Sequence, residues 1–248
     1  MAVDNPLDQV AAQYPEEQEN YGPTVVLKLF SLLPNGQIAG LVDAIRGHFS
    51  TRRSIERLSA FVETLIAEVQ RHGKKIEELE NQAASDPDFS EAMVFAATQA
   101  ILTTSAVKVQ RYGLIVATEL ITEHPQGWDE VSSLISDVGR LSEADISVLR
   151  VIVEIQREHV LQIAQNPSDY LYDALANTVG TVLQKADRSG RSRNEFYSHL
   201  YRLAGFGLAM PLNWKTTAWG PSDQGFAATL RGVYLVDALD KRSPVDKS

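Results

Sequence analysis

The amino-acid sequence predicts a mainly α-helical protein, in which an N-terminal helical bundle is followed by a C-terminal domain with a small β-hairpin. Over most of the 248 residues, apolar positions recur at steps of three and four, the period of an amphipathic helix. Over 208–217 the period changes to two, as in a β-strand. We therefore predict a bundle over 24–138 and a second domain over 139–242, with a lead over 1–23 and a tail over 243–248.

The lead is rich in acidic, amide and proline residues, so it cannot bury enough apolar surface to offset ordering, and we expect it to be flexible. It lacks the basic start and apolar run of a secretion signal. The most apolar early stretch, 25–33, stops at 34–36, well short of the roughly 20 residues that cross a membrane. We expect no integral membrane span. The absence of cysteine fits a reducing cytoplasm, where we place the protein.

The first strong helical pattern begins at residue 55. Its apolar residues fall on one helix face, and these are Ile55, Leu58, Phe61, Val62, Leu65, Ile66 and Val69. Gly73 is expected to end or bend this helix, and residues 74–79, with alternating charges, are expected to form an exposed helical end.

Two further helices are predicted in the bundle. Residues 85–88, Ser-Asp-Pro-Asp, form a turn and a helix start, because Ser and Asp accept hydrogen bonds from free amides and proline cannot continue a preceding helix. The apolar residues that follow include Phe89, Met93, Phe95, Ala96, Ala100 and Ile101. Residues 103–105 break the pattern, and a further helix carries Val109, Tyr112, Ile115, Val116 and Leu120. Residues 124–127, with proline and glycine, are predicted to form a loop.

Three helical patterns open the second domain. Ser142 is predicted to cap the first, which has acidic residues in its first turn. A second apolar stripe occupies 170–183, and a third consists of Phe196, Leu200, Leu203 and Phe206. The third helix is predicted to begin at Ser192 and to end at Gly205 and Gly207, where we expect a left-handed cap.

A hairpin and a closing helix are predicted next. In 208–217 the residues that alternate as the apolar face of a half-buried strand are Met210, Leu212, Trp214 and Thr216. Pro211 confines this strand to a sheet edge or a strand start. A turn over 220–225 leads into a second strand over 226–229, and residues 230–239 are predicted to be helical.

This order of elements resembles the winged-helix family. In that family a leucine-rich recognition helix leads into a Gly-Leu pair, matched here by Gly207 and Leu208, and the hairpin forms the wing. A Thr-x-x-Gly-x-x-Leu element begins the last helix, matched here by Thr229, Gly232 and Leu235. The resemblance covers about the last hundred residues. It implies that the helix after Ser192 is a recognition helix.

More loosely, the whole chain is similar to bacterial and prophage proteins of the abortive-infection alpha type, which join a helical segment to a winged-helix-like end. The arginine-bearing stretch over 52–58 matches the long helix of those proteins. This similarity implies a prophage or phage-defence setting and leaves the biochemical activity open.

Basic residues are concentrated around the proposed recognition helix. From 176 to 231 there are seven Lys and Arg against three Asp and Glu, a balance of +4, so the rest of this chain of net charge −9 carries −13. A local basic patch permits phosphate contacts that a uniformly acidic surface would oppose. The predicted nucleic-acid-binding residues are Lys185, Arg188, Arg191, Ser192, Arg193, Asn194, Tyr197 and Arg202.

These residues have different predicted roles. Ser192 caps the helix, whereas Arg193 and Asn194 reach base edges from its first turn. Tyr197 or His199 touches the backbone or a base. The alternative is that these are ordinary surface groups on a winged helix that binds a protein.

Two other features have competing interpretations. Trp214 is expected in the core of its domain. For Trp219 the sequence allows two roles, packing in the core or stacking on a partner. Arg46, Arg53 and Arg57 lie near an apolar helix face, which is compatible with a membrane surface but is explained more simply by bundle packing or a homodimer seam.

The sequence contains no recognised catalytic or metal-binding pattern. The histidines, His48, His72, His124, His159 and His199, are scattered, and phosphate loops and nucleophile elbows are missing. Glu119, Glu123 and Glu130 are close in sequence, but a solvated helix face is the simpler interpretation. We therefore expect no enzyme activity, no metal and no cofactor.

The sequence thus predicts a binding or regulatory protein whose winged helix engages DNA or a protein and whose helical half self-associates, as a homodimer for example. The alternative is a phage-defence or stress-related interaction component in which the winged helix is purely structural. In one variant of this alternative, the protein associates with a membrane surface.

Overall fold

The computed structural model describes residues 52–74, 86–122, 126–165, 192–212 and 225–240. In this part of the chain there are seven helices and one two-stranded antiparallel sheet near the C-terminus. The predicted fold class, mainly α with a small hairpin, is confirmed.

The chain forms two compact units that divide between Arg140 and Leu141. The described part of the first unit contains helices α1 (Arg52–Arg71), α2 (Pro87–Leu102), α3 (Ala106–Ile121) and α4 (Trp128–Arg140). Helices α2 and α3 pack against each other, and each also contacts both α1 and α4. The core of the bundle is therefore centred on α2 and α3.

The predicted apolar face of α1 is buried in the bundle. Its fully buried members are Leu58, Phe61, Val62, Leu65 and Val69. Ile66 is half-buried, and the side chain of Ile55 is outside the described part. The helix ends at Arg71, close to Gly73, where the sequence predicted an end or a bend. Gly73 has a φ of +73°, and its amide donates to the carbonyl of Gln70 at 2.9 Å.

The start of α2 lies at the helix start predicted from the sequence, whereas the cap of α3 was not predicted. Asp86 accepts hydrogen bonds from the amides of Asp88 and Phe89, and Pro87 occupies the first turn. The other carboxylate oxygen of Asp86 accepts a hydrogen bond from the Trp128 indole at 2.9 Å, and this contact joins the starts of α2 and α4. Ser105 caps α3.

Helix α4 was not predicted as a separate element. Its buried residues, Val131, Leu134, Ile135 and Val138, have the helical spacing that could have revealed it. The helix begins after Gly127, which has a φ of +98°. Glu119 accepts hydrogen bonds from the amides of Gln126 and Gly127, so a buried carboxylate holds this start in place. A solvated face was therefore the wrong interpretation of Glu119.

The second unit contains α5 (Glu143–Gln165), α6 (Arg193–Gly205), β1 (Ala209–Leu212), β2 (Gly225–Ala228) and α7 (Leu230–Leu239). Helix α5 packs against α6, β2 and α7, whereas α6 also contacts β1. Helix α5 is thus the element around which the described part of this unit is assembled.

The hairpin has one buried face. Ala209 pairs with Ala228 and both are buried, whereas Met210, paired with Ala227, is 49% exposed. The alternation in the sequence had placed Met210 on the apolar face. Pro211, opposite Phe226, lies in this two-stranded sheet, where each strand has an outer edge that tolerates proline.

A compact junction joins α6, β1 and α7. Gly207 has a φ of +68°, and the amides of Gly207 and Leu208 donate to Ala204 and Leu203, which closes α6 as predicted. The Thr229 hydroxyl donates to the Gly207 carbonyl and accepts from the Gly232 amide. Thus the Thr-x-x-Gly pattern caps α7 and ties it to the end of α6.

Several predicted elements are outside the described residues. These are the lead over 1–23, residues 75–79 of the predicted exposed helical end, the stripe over 170–183, the strand residues after Leu212 with Trp214 and Trp219, and the tail over 243–248. Lys74, the first residue of that predicted helical end, is not helical, and its amine donates to the carbonyl of Leu120.

Gly113 lies where α3 meets α1 most closely. A Cβ built there would lie 2.9 Å from the carbonyl oxygen of Phe61 and 3.0 Å from Cβ of Thr64. Two helix backbones can approach this closely only because glycine has no side chain.

We therefore expect Gly113→Ala to lower the free energy of unfolding by about 1–3 kcal/mol, because α1 and α3 must separate to admit the methyl group. Denaturant unfolding followed by circular dichroism measures the change. Gly205→Ala is the control, since a Cβ there meets nothing within 4 Å. A stability equal to that of the control would contradict this account of the helix contact.

Candidate functional site

Helix α6 presents one apolar and one polar face. Phe196, Leu200 and Leu203 are buried against the rest of the second unit. The exposed residues of α6 with described side chains are Asn194, Glu195, Ser198, Tyr201, Arg202 and Gly205. The outward face therefore offers amide, hydroxyl and phenol groups as well as charges.

The start of α6 is built as the sequence predicts. Ser192 is the N-cap, and its hydroxyl accepts from the amide of Glu195 at 3.2 Å. Asn194 is exposed in the first turn, and the side chain of Arg193 is outside the described part. The predicted contacts Lys185, Arg188 and Arg191 are also outside the described residues.

Two tyrosines of α6 contact the hairpin. The ring of Tyr197 lies 6.3 Å from that of Phe226, and the ring of Tyr201 meets Phe226 edge-on at 5.1 Å. Tyr201 nevertheless remains 54% exposed. The aromatic rings thus join the recognition-helix candidate to β2, and Tyr197, one of the predicted nucleic-acid contacts, has a structural neighbour of its own.

Two polar residues of α6 converge on Asp145 of α5. His199 Nδ1 lies 2.8 Å from Asp145 Oδ1, and Arg202 Nε lies 3.6 Å from Oδ2. The sequence had placed both residues among the groups that face nucleic acid. The structure gives each of them a partner within its own unit.

Asp145 is itself held by the start of α5. Both the amide and the hydroxyl of Ser142 donate to Oδ2 at 2.7 Å, while the same hydroxyl accepts from the amide of Asp145. This reciprocal pair is a capping box with Asp as its acidic member. The side chain of Asp145 is fully buried, so these contacts replace water around its charge.

The surroundings of Asp145 favour its charged form. Burial by itself raises the pKa of this carboxyl, but hydrogen bonds from the Ser142 amide, His199 and the Ser142 hydroxyl, with the charge of Arg202, outweigh burial and hold the pKa below its usual value. The residue is therefore a buried carboxylate at neutral pH. The sequence predicted the cap at Ser142, but not the partners of Asp145 on α6.

Other polar contacts fix α5 against the C-terminal elements. Arg150 pairs with Asp240 at 2.8 Å, and Arg157 pairs with Asp237. Gln156 accepts from the amide of Ala228 at 3.0 Å, and Arg231 donates to the carbonyl of Phe206 at 2.5 Å. These side chains therefore serve the assembly of the second unit.

The remaining candidates yield no catalytic arrangement in the described residues. His72 lies 3.4 Å from Glu68, its neighbour along α1, and Arg57 donates to the carbonyl of Ile101. Glu123, Arg46, His48 and His124, and the side chain of His159, are outside the described part. In the part that can be described, no three His, Asp or Glu residues are placed to hold a metal ion. None of its helices has the length and apolar character of a membrane span.

Comparisons with known protein families, with curated proteins and with solved structures find no match. The arguments for function therefore come from the residues and their geometry.

The lowered pKa of Asp145 predicts an acid-sensitive second unit. Because the pKa is lower in the folded chain than in the unfolded one, where it is about 3.9, the charged form stabilises the fold above that pH. This stabilisation is lost as the pH falls through the folded value.

We expect Asp145→Asn to be less stable than the natural protein at neutral pH, with the difference shrinking below about pH 4. Denaturant unfolding from pH 7 to pH 2.5 checks this. Glu143→Gln is the control, because it also removes one carboxylate from the first turn of α5 but retains the Asp145 contacts. It should still lose stability as the pH falls, as the natural protein does. A constant difference between Asp145→Asn and the natural protein would contradict the role of this charge.

Proposed function

We propose that the protein is a non-enzymatic DNA-binding regulator, in which α6 and the basic segment before it engage duplex DNA. The observation that carries this proposal is the exposed first turn of α6, capped by Ser192, directly after a segment with Lys185, Arg188 and Arg191. A helix N-terminus carries a partial positive charge and suits an approach to phosphate.

The exposed side chains of α6 suit contacts in a DNA groove. Asn194 and Ser198 are one helical turn apart, so they share a face. Asn194 offers donors and an acceptor for base edges, whereas Ser198, whose hydroxyl donates to the Glu195 carbonyl at 2.7 Å, offers an acceptor. The buried residues Phe196, Leu200 and Leu203 hold the opposite face against the domain. The helix is thus supported as a rigid element, which favours a defined register on the duplex.

The charge distribution supports contact through one region. The chain carries −9 overall, but the segment 176–231 carries +4, so phosphate is attracted locally and repelled elsewhere. In this proposal the winged-helix resemblance supplies the docking mode, with α6 in the major groove and the hairpin as the wing. The helical first unit is assigned to self-association, as a homodimer that presents two such surfaces.

A second candidate is a protein-interaction component, for example in phage defence, whose winged helix is structural. The favouring observation is exposed apolar surface on the second unit, because Leu230 is 89% exposed and both Tyr201 and Met210 are about half exposed. Arg202 and Arg231 also have partners within the unit. Surfaces of this kind bind proteins rather than phosphate.

Contact with a membrane surface through α1 is not favoured. Its apolar residues are buried against α2 and α3, and Arg57 donates to a carbonyl at the end of α2. The bundle therefore accounts for the amphipathic pattern that a membrane-surface helix also shows.

Titration of the protein with random-sequence duplex DNA tests the first candidate. We expect binding that weakens steeply with salt, since each neutralised phosphate adds about 0.9 to the slope of log K against log salt. Replacing Lys185, Arg188 and Arg191 by Ala should lower both affinity and slope. Arg53→Ala, on the exposed surface of α1, is the control and should change neither.

Absence of binding at low salt would reject the DNA proposal. In that event, the second candidate would be supported if a protein partner co-purifies with the natural protein but not with Tyr201→Ala. Sedimentation velocity over a range of concentrations tests self-association, and a monomer throughout would contradict it.

A further inference from the structure

Arg202 is a basic residue on the proposed recognition helix that is placed beside a buried negative charge. Its Nε lies 3.6 Å from Oδ2 of Asp145, whose side chain is fully buried, whereas the arginine side chain is 49% exposed. The guanidinium group therefore lies between solvent and an internal carboxylate.

The carboxylate is the fixed member of this pair. Ser142 holds Oδ2 through two hydrogen bonds and His199 holds Oδ1, so Asp145 cannot rotate away from α6 without losing three contacts. A charge buried in this way is screened less by salt than a charge at the surface. The charge of Asp145 therefore offsets the charge of Arg202 even at physiological ionic strength.

We propose that Asp145 neutralises Arg202 and so withholds its charge from DNA phosphate. This inference rests on the proposed function and corrects the contact set expected from the sequence. Arg202 is then an internal partner of Asp145 and adds no phosphate contact. Asp145 is a positioning residue that sets how many cations the α6 surface presents.

The proposal predicts a gain of phosphate binding when Asp145 loses its charge. Asp145→Asn keeps the size and much of the hydrogen-bonding capacity of the side chain but removes the buried negative charge beside Arg202. For this variant the slope of log K for DNA against log salt should become steeper by about 0.9, which is the contribution of one further phosphate contact. That slope corresponds to about 3.5-fold more affinity lost over a fourfold rise in salt.

Three further variants separate this effect from a change in net charge or in folding. Asp240→Asn makes the same charge change at the Arg150 pair of the same unit and should leave the slope unaltered. Arg202→Gln in the natural background should also leave the slope unaltered, whereas Arg202→Gln combined with Asp145→Asn should abolish the gain. Circular dichroism at the titration temperature verifies folding.

Arg202→Gln keeps the test decisive if Asp145→Asn fails to fold. A slope that falls by about 0.9 with Arg202→Gln would identify Arg202 as a phosphate contact and overturn the inference. If the natural protein binds DNA and Asp145→Asn shows the same slope of log K against log salt, the inference is overturned while the proposed function stays intact. DNA binding by none of the proteins would overturn both.

Discussion

A buried carboxylate organises the described part of the second unit. Asp145 closes the start of α5 through Ser142 and, on its other side, holds His199 and Arg202 of α6. Removing a charge from water is costly, so such a residue is retained only where hydrogen bonds and opposite charge replace hydration. The position of the outward face of α6 depends on this interior arrangement together with the apolar contacts of Phe196, Leu200 and Leu203.

The local chemistry of helix ends was readable from the sequence, because each cap involves residues within a few positions of one another. Asp86, Ser192 and Gly207 act as predicted, since short polar side chains and glycine have few alternatives at such places. Helix α4 was overlooked because its start is held by Glu119 from the preceding helix. The exposed position of Met210 shows that alternation identifies a strand more securely than it identifies the buried face.

The candidate site was only partly predictable for a related reason. The cap at Ser192 and the exposure of Asn194 are local properties of one helix, and both could be inferred. The pairing of His199 with Asp145 joins positions 54 residues apart, and periodicity contains no information on which polar groups meet across two helices. Charge counting treated Arg202 as a surface cation because a sequence does not show a buried counter-charge.

The proline in β1 has a consequence for how the hairpin meets other molecules. Pro211 has no amide hydrogen to donate, so β1 is a poor template for the addition of another strand at this position. Recruitment of an extended peptide by backbone pairing is therefore disfavoured along β1. The same feature makes edge-to-edge pairing of two such ribbons along β1 less favourable.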